Sequence, residues 1–351
     1  MNFSRQITEW YRQNKRELPW RQTTNPYFIW LSEIILQQTR VNQGLDYYLK
    51  FIEHYPTVNE LANANEQDVL NDWQGLGYYS RARNLHTTAK LIQSKFKGKF
   101  PITYEEILTL KGVGMYTASA IASFSYNLPH AVVDGNVYRV LSRVFDINLP
   151  INSTEGQKTF NQIANELLNK ENPALHNQAI MEFGAITCTP NNPSCSDCPF
   201  HQECLSLKNG TISERPVKKG KTKIRSRYFH YFNFNNGKET IIQKRTEKDI
   251  WQHLFEFPKI EFDTEPKHEE IREYIKESFM INPINFNNQK KHILSHQHIY
   301  CTFWEFDTLP SLIKDEWEII NTADFNKYPI PRAIDRYLEE KHKIKQQRMN
   351  L

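Results

Sequence analysis

The stretch Leu110-Lys111-Gly112-Val113-Gly114-Met115-Tyr116-Thr117-Ala118 decides the fold. Two glycines one residue apart stand between segments of helical periodicity, Tyr104–Leu110 before and Tyr116–Phe124 after. Glycine reaches backbone angles that other residues resist, so the pair predicts a tight turn rather than one continuous helix. Such a turn exposes backbone N–H groups at the start of the second helix, where the helix dipole adds positive character. That arrangement suits a phosphate and reads no base sequence. A plain joint between two helices satisfies the same residues.

Outward from this turn the pattern stays helical from Ser4 to about Glu203. Apolar residues recur at helical spacing through Phe28–Tyr48, Val58–Leu70, Ser80–Phe96, Val137–Phe145 and Gly156–Leu168. Gly75-Leu76-Gly77, Gly98 to Pro101, Pro129 and Pro150 mark the joints. An all-α domain of short helices is predicted over 1–209. Segment 210–227 reads as a linker; within it Arg215–Arg227 carries seven Lys or Arg and no acid. It is either a solvated tether or a basic strap along a phosphate backbone. Beyond it, Tyr228–Phe234, Thr240–Gln243, His292–Phe306 and Trp317–Ile320 read as strands, and His268–Phe279 and Pro331–Lys343 as helices. A second, α+β domain over 228–345 follows.

A chain of 351 residues accommodates two such domains, and its 39% hydrophobic content excludes a wholly disordered protein. The net charge of +4 is compatible with a nucleic-acid partner without requiring one. Met1 to Trp20 is polar and charged, unlike a secretory signal, and no apolar run approaches the roughly 20 residues that span a bilayer. A soluble intracellular protein is expected. Four of the five cysteines fall between Cys188 and Cys204, spaced x6, x2 and x5. In a reducing compartment that cluster predicts an iron–sulfur centre or a structural zinc rather than disulfides. Cys301 reads as a small buried apolar residue.

Two carboxylates stand out. Glu33 interrupts the apolar run Phe28–Leu36, and burying it unpaired is costly. Desolvation would keep it protonated, as a general acid requires; a buried ion pair with Arg21 or Arg40 is the alternative. Asp134, directly before the helix at Val137, reads as an N-cap or as a carboxylate at the mouth of a pocket.

Together these elements resemble one family. Pro19-Trp20-Arg21, Ser32-Glu33 followed by Gln37-Gln38-Thr39, Gly75 to Leu85, Gly112-Val113-Gly114, Asp134-Gly135-Asn136 and the four cysteines are similar, in order and content, to the MutY family of adenine DNA glycosylases. The resemblance implies a mainly α helix-hairpin-helix glycosylase domain with an iron–sulfur cluster loop, followed by an α+β Nudix-like domain. It implies a 4Fe–4S cluster held by Cys188, Cys195, Cys198 and Cys204, and a DNA-backbone clamp at Gly112, Val113 and Gly114. Glu33 matches the acid that protonates adenine at N7, and Asp134 the carboxylate that stabilises the oxocarbenium-like sugar. Tyr116 and Asn136 match residues that orient the site; Trp20, Arg21, Leu36 and Glu182 match the pocket for the flipped adenine. Gln38, with Thr39 beside it, Leu76 and Tyr78 match residues that enter the duplex or touch the oxidised guanine. Ser295 and His296 match the loop that reads 8-oxoguanine, with Leu294 where many relatives have Phe. Zinc binding by His292, His296 and His298 on one strand face is the competing reading of that segment.

The implied partner is double-stranded DNA with adenine opposite 8-oxoguanine or guanine, bound by a monomer in the bacterial cytoplasm at the nucleoid. Endonuclease III-like glycosylase/lyases share this architecture but carry a lysine two residues after the second hairpin glycine. Tyr116 holds that position here, so a monofunctional glycosylase is expected. Arg272 to Glu277 only partly matches the glutamate-rich helix of a working Nudix hydrolase, and no nucleotide hydrolysis is expected.

Overall fold

Helices begin where the sequence supplies an acceptor for their free N–H groups. Asn2, Asn25, Thr103, Asp134, Ser153 and Asn172 each accept a backbone N–H from the first turn that follows, and Pro26 and Pro173 stand in the first turn, where proline is preorganised. The computed structural model describes residues 2–220 and 224–349. The helices are α1 (Phe3–Asn14), α2 (Pro26–Ile35), α3 (Val41–His54), α4 (Val58–Asn63), α5 (Glu66–Asp72), α6 (Ser80–Phe96), α7 (Tyr104–Leu108) and α8 (Met115–Tyr126), then α9 (Gly135–Val144), α10 (Thr154–Leu167), α11 (Pro173–Ile186), α12 (Leu205–Asn209), α13 (His268–Phe279) and α14 (Arg332–Met349). The strands are β1 (Arg225–Phe234), β2 (Glu239–Lys244), β3 (Phe255–Glu256), β4 (Lys259–Phe262), β5 (Asn285–Ile293), β6 (Gln297–Phe306) and β7 (Trp317–Asn321).

The chain forms two compact units, Met1–Asn63 with Asn84–Gly220, and Ala64–Arg83 with Lys221–Leu351. In the first, α1, α9, α10 and α11 bury Phe3, Ile7, Val137, Leu141, Phe160 and Phe183 in one core. The run expected as helical over Phe28–Tyr48 is broken after Ile35, and Gln38 takes a left-handed φ of 57°. Leu36 then folds against Gly44 of α3, where an added Cβ would come within 2.6 Å of its Cδ2.

In the second unit a four-stranded sheet has the order β4-β1-β6-β5 and a three-stranded sheet the order β3-β2-β7. β1 runs parallel to β6; the other pairs are antiparallel. Ile271, Ile275 and Phe279 of α13 pack with Phe232, Phe234 and Trp304 of the larger sheet. The strand expected over His292–Phe306 is two strands joined by a turn, in which Leu294 N donates to Gln297 O at 2.8 Å. The early segment Ala64–Arg83 is tied to this C-terminal unit. Gln67 Nε2 and Asn71 Nδ2 donate to Lys327 O at 2.9 and 2.7 Å, and Arg83 Nη1 to Gln252 O at 2.7 Å.

The basic stretch after residue 210 is not a free tether over its first part. Arg215 Nε lies 3.0 Å from Asp146, Ile151 N donates to Val217 O at 3.0 Å, and Lys219 N donates to Asn152 Oδ1 at 2.8 Å. Arg225 and Arg227 already belong to β1, Arg227 paired with Asp249 and Glu261. Lys221 and Lys223 lie outside the described residues. Among the described residues, no helix is long and apolar enough to cross a membrane.

Candidate active site

Glu33 sits on α2, whose residues from Ile29 to Ile35 are all buried. The helix is apolar nearly all round, so it can only fold inside the unit, and Glu33 is carried in with it at 7% exposure. Its partner is Tyr116 of α8, whose hydroxyl donates to Glu33 Oε2 at 2.5 Å. The ion pair weighed from sequence does not form: Arg21 pairs with Glu182, and Arg40 is exposed. Burial pushes the Glu33 carboxyl up to about 7; the Tyr116 hydrogen bond opposes this and the nearby Asp134 adds to it. Burial, with Glu33 and Asp134 close by, also holds the Tyr116 phenol well above its usual range, so it remains a donor.

Asp134 fulfils both readings made of it. It caps α9, Oδ1 accepting from Asn136 N at 2.9 Å and from Val137 N at 2.8 Å. Its Oδ2 accepts from Asn136 Nδ2 at 2.8 Å. Burial raises its pKa, while these N–H donors and Arg139 oppose the rise. Arg139 Nη2 donates to Asn136 Oδ1 at 2.8 Å and to Gly184 O at 2.5 Å, and its Nε donates to Cys188 O at 2.7 Å. A chain of hydrogen bonds therefore runs from the first cysteine of the cluster loop to the Asp134 carboxylate. Gly184 permits it, since a Cβ there would meet Asn136 Cβ at 2.7 Å and Asn136 O at 2.9 Å.

Glu182 of α11, wholly buried, accepts from Arg16 N, Nε and Nη2 at 2.9, 2.8 and 2.7 Å and from Arg21 Nη2 at 2.6 Å. Burial alone would raise its pKa, but the Arg16 and Arg21 hydrogen bonds outweigh it and hold the carboxyl at about 2. Trp20 is fixed by an edge contact with Tyr48, ring centroids 5.2 Å apart.

These groups share one cavity of about 340 Å³. Glu33, Tyr116, Asp134 and Asn136 line it, as do Trp20, Arg21 and Glu182, and Leu36, Gln38 and Thr39 from the break between α2 and α3. Arg16 and Arg139 escaped the sequence reading. Arg139 was findable, because it falls three and four residues from Asn136 and Arg143 on the face of α9 that also buries Val140. Arg16, in a charged stretch outside any apolar pattern, gave no such signal.

The other expected residues lie elsewhere. The hairpin separates α7 and α8; Gly112 takes φ 79° and faces Asn84 so closely that a Cβ would lie 2.8 Å from its Cβ. Gly114 caps α8 without a side chain, Val113 anchors the turn as a buried residue, and Lys111, Gly112 and Gly114 are exposed. Leu76, Tyr78, Ser295 and His296 belong to the second unit, Leu76 buried and Tyr78 exposed. Ser295 and His296 are exposed in the β5–β6 turn, Oγ and Nδ1 3.1 Å apart. That turn puts His292 on β5 and His298 on β6 rather than on one strand face.

Cys188, Cys195, Cys198 and Cys204 are free thiols around one small cavity. Burial, and for Cys198 the other three sulfurs, raises the thiols of Cys195, Cys198 and Cys204, Cys198 to about 12. Arg143 Nη1 donates to Cys188 Sγ at 3.5 Å, and the amide of Phe200 to Cys198 Sγ at 3.4 Å. Among the described residues no group of three or more His, Cys, Asp or Glu is drawn together as for a single ion. Cys301 is buried in β6.

Residues 31–169 match the HhH-GPD superfamily base excision DNA repair protein family, and residues 230–340 match the NUDIX domain. The chain is 37% identical to the adenine DNA glycosylase of Buchnera aphidicola subsp. Baizongia pistaciae, over 85% of this chain and 84% of that one. It is 33% identical to that of Buchnera aphidicola subsp. Acyrthosiphon pisum over 96% and 97%, and 41% identical to that of Homo sapiens over 61% and 42%. Among solved structures, a thermostable thymine-DNA glycosylase superposes with a TM-score of 0.55 at 28% identity, covering 59% of this chain and 95% of that one. A non-covalent endonuclease III–DNA complex gives 0.52 at 20%, covering 59% and 94%, and shows the fold.

Proposed function

The chain belongs to the adenine DNA glycosylase family, a base-excision-repair enzyme, and from that premise we propose that Glu33 and Asp134 break the N-glycosidic bond of adenine opposed to 8-oxoguanine or guanine. The observation that carries this is a cavity in which a buried glutamate poised near neutrality stands beside a hydrogen-bonded aspartate. A flipped adenine enters that cavity past Trp20, Leu36 and the Arg21–Glu182 pair. Tyr116 donates to Oε2 of Glu33, so the acid's own proton resides on Oε1, from which it passes to adenine N7. The C1′–N9 bond then breaks with its electron pair going to the protonated base. Asp134, its charge supported by three N–H donors, stabilises the oxocarbenium-like sugar until water adds to C1′.

Tyr116 also supports a monofunctional enzyme. A phenol forms no Schiff base with the sugar, and Lys111 lies before the hairpin, exposed. The hairpin amides, uncapped by any side chain, suit a DNA phosphate. Gln38, Thr39, Leu76 and Tyr78 are assigned to the duplex, and Ser295 and His296 to 8-oxoguanine. The four thiols, with Arg143 and an amide directed at sulfur and no carboxylate lining their cavity, fit a 4Fe–4S cluster; Cys188, Cys195, Cys198 and Cys204 would hold it, and it would supply a structural brace for the loop. The enzyme is assigned as a monomer of the bacterial cytoplasm acting at the nucleoid. Catalysis is assigned to 1–209 and lesion reading to 228–345, with 210–227 between them.

Single-turnover excision on duplexes with adenine opposite 8-oxoguanine, guanine, cytosine or thymine tests the reading. Release is expected to be fastest opposite 8-oxoguanine, then guanine, with no adduct trapped by borohydride. Equal rates on all four, or a trapped adduct on oxidised pyrimidines, overturns it.

A further inference from the structure

Asp134 is delivered to its cavity by a stretch of chain with no helix or strand of its own, residues 127–134 between α8 and α9. Ala131, Val132 and Val133 in that stretch are buried, so their backbone amides need partners from outside it. Ala131 N donates to Asn165 Oδ1 of α10 at 3.3 Å, and Val132 N donates to Asn177 Oδ1 of α11 at 3.0 Å. The same Asn177 side chain gives hydrogens back. Its Nδ2 donates to His130 O at 2.8 Å and to Ser123 Oγ of α8 at 2.9 Å. The Val132 amide can only donate and the His130 carbonyl only accept, so both ends of the Asn177 amide are fixed. One residue of a parallel neighbouring strand would make the same pair of contacts, to the C=O of one residue and the N–H two places on. Asn177 is 1% exposed, whereas Asn165 is exposed and water can take its place.

The clamp fixes register. Ala131 and Val133 belong to the apolar core with Val137 and Phe160, while Asp134 lines the cavity. Successive side chains of an extended chain point to opposite sides, so a slip by one residue would turn Val133 to the cavity and Asp134 into the core. Helix α11 grips the segment at both ends. Gly184 lies two turns beyond Asn177, on the same face, and abuts Asn136 just past Asp134.

We propose that Asn177 is a positioning residue for adenine excision: its side-chain amide takes the place of a neighbouring strand and sets the register that brings Asp134 to the sugar. Asn177 acts through the backbone of His130–Val132 and is not among the residues lining the cavity. This rests on the role given to Asp134.

The test is single-turnover excision of adenine opposite 8-oxoguanine by the full-length protein, with affinity measured on the same duplex carrying a 2′-fluorinated adenosine that resists cleavage. Rate constants are taken at saturating enzyme, where unfolded molecules do not enter. Asn177→Leu keeps the volume and removes every hydrogen bond. It is expected to slow excision about 10²-fold, the cost of a roughly 1 Å misplacement, with affinity unchanged. Ser123→Ala removes one bond of the same amide without releasing the segment, so it should melt lower than wild type yet excise at the wild-type rate. Asn177→Asp supplies a pH readout. Burial raises the pKa of the new carboxyl; ionised it repels the His130 carbonyl, and protonated it donates to that oxygen as the amide does. Its rate relative to wild type should therefore rise as pH is lowered from about 8.5 to about 6. Wild-type excision by Asn177→Leu, an equal rate loss in Ser123→Ala, or a pH-independent ratio for Asn177→Asp overturns the proposal. Asp134→Asn, run in parallel, separates this failure from failure of its premise. If that variant also excises at the wild-type rate, the role of Asp134 has fallen and the positioning role with it; a slow Asp134→Asn beside a fast Asn177→Leu rejects the positioning alone.

Discussion

Two glutamates line the same cavity and ionise in opposite senses. On the α2–α8 side, Glu33 is buried with a neutral phenol for a partner, and its carboxyl rises to about 7. On the α11 side, Glu182 is buried more completely, yet two guanidiniums hold it at about 2. Burial is common to both; the partner decides the charge. One wall of the cavity is thereby able to give up a proton near neutral pH, and the other is a fixed anion that pins Arg16 and Arg21.

The sharpest way to break the comparison is to remove the acid. Glu33→Gln should reduce single-turnover adenine release by about 10²- to 10⁴-fold with DNA affinity unchanged, the range of a lost general acid. Release at the wild-type rate would show that Glu33 is not the proton donor. Stability should move the other way. A carboxyl raised from 4.5 to about 7 on folding weighs against the folded state as pH climbs through that interval, by about 3 kcal/mol once both forms are ionised. Thermal melts of Glu33→Gln should therefore exceed wild type more at pH 8.5 than at pH 4.5; equal differences at both would mean the shift is absent.

Removing the paired glutamate should do the reverse. Glu182→Gln leaves two guanidiniums without their anion and is expected to lose about 2–4 kcal/mol in denaturant unfolding, moderated because Arg16 is partly exposed. Because its pKa is depressed, the pair contributes stability above pH 4.5, and that contribution is lost as pH falls toward about 2. Gly184→Ala should destabilise by about 1–3 kcal/mol, as overpacking does, and slow excision by displacing Asn136 from Asp134. Wild-type excision in that variant would sever the proposed link. The finest adjustment is Tyr116→Phe. It deletes the hydrogen bond that lowers the Glu33 pKa, so the fall of the excision rate with rising pH should move to higher pH. A limb that stays put would show that another group titrates there.

This contrast was only half legible in the sequence. An isolated carboxylate in Phe28–Leu36 announces that something must be done about its charge, but not what, because Tyr116 comes 83 residues later. Arg21 stood closer in sequence and was an equally good partner until the fold gave it to Glu182. Helix limits were clear where the periodicity runs unbroken between turn residues, as in α6 and α13, which match their expected spans. They failed at Leu36–Arg40, where continuing apolar spacing hid a turn made with a left-handed Gln38. The His292–Phe306 split failed likewise, since alternation reads the same through a two-strand hairpin. The role of Ala64–Arg83 was illegible, because local pattern carries no information on which distant segment a helix will meet.

That last segment has a consequence for how the molecule is made. Gln67 and Asn71 emerge from the ribosome early, while the carbonyl they bind, that of Lys327, follows more than 250 residues later. At typical elongation speeds of about 5–20 residues per second, the segment waits on the order of tens of seconds for its partner. Translation order and assembly order therefore disagree in this chain: a segment made early is completed only by a strand-and-turn region made late.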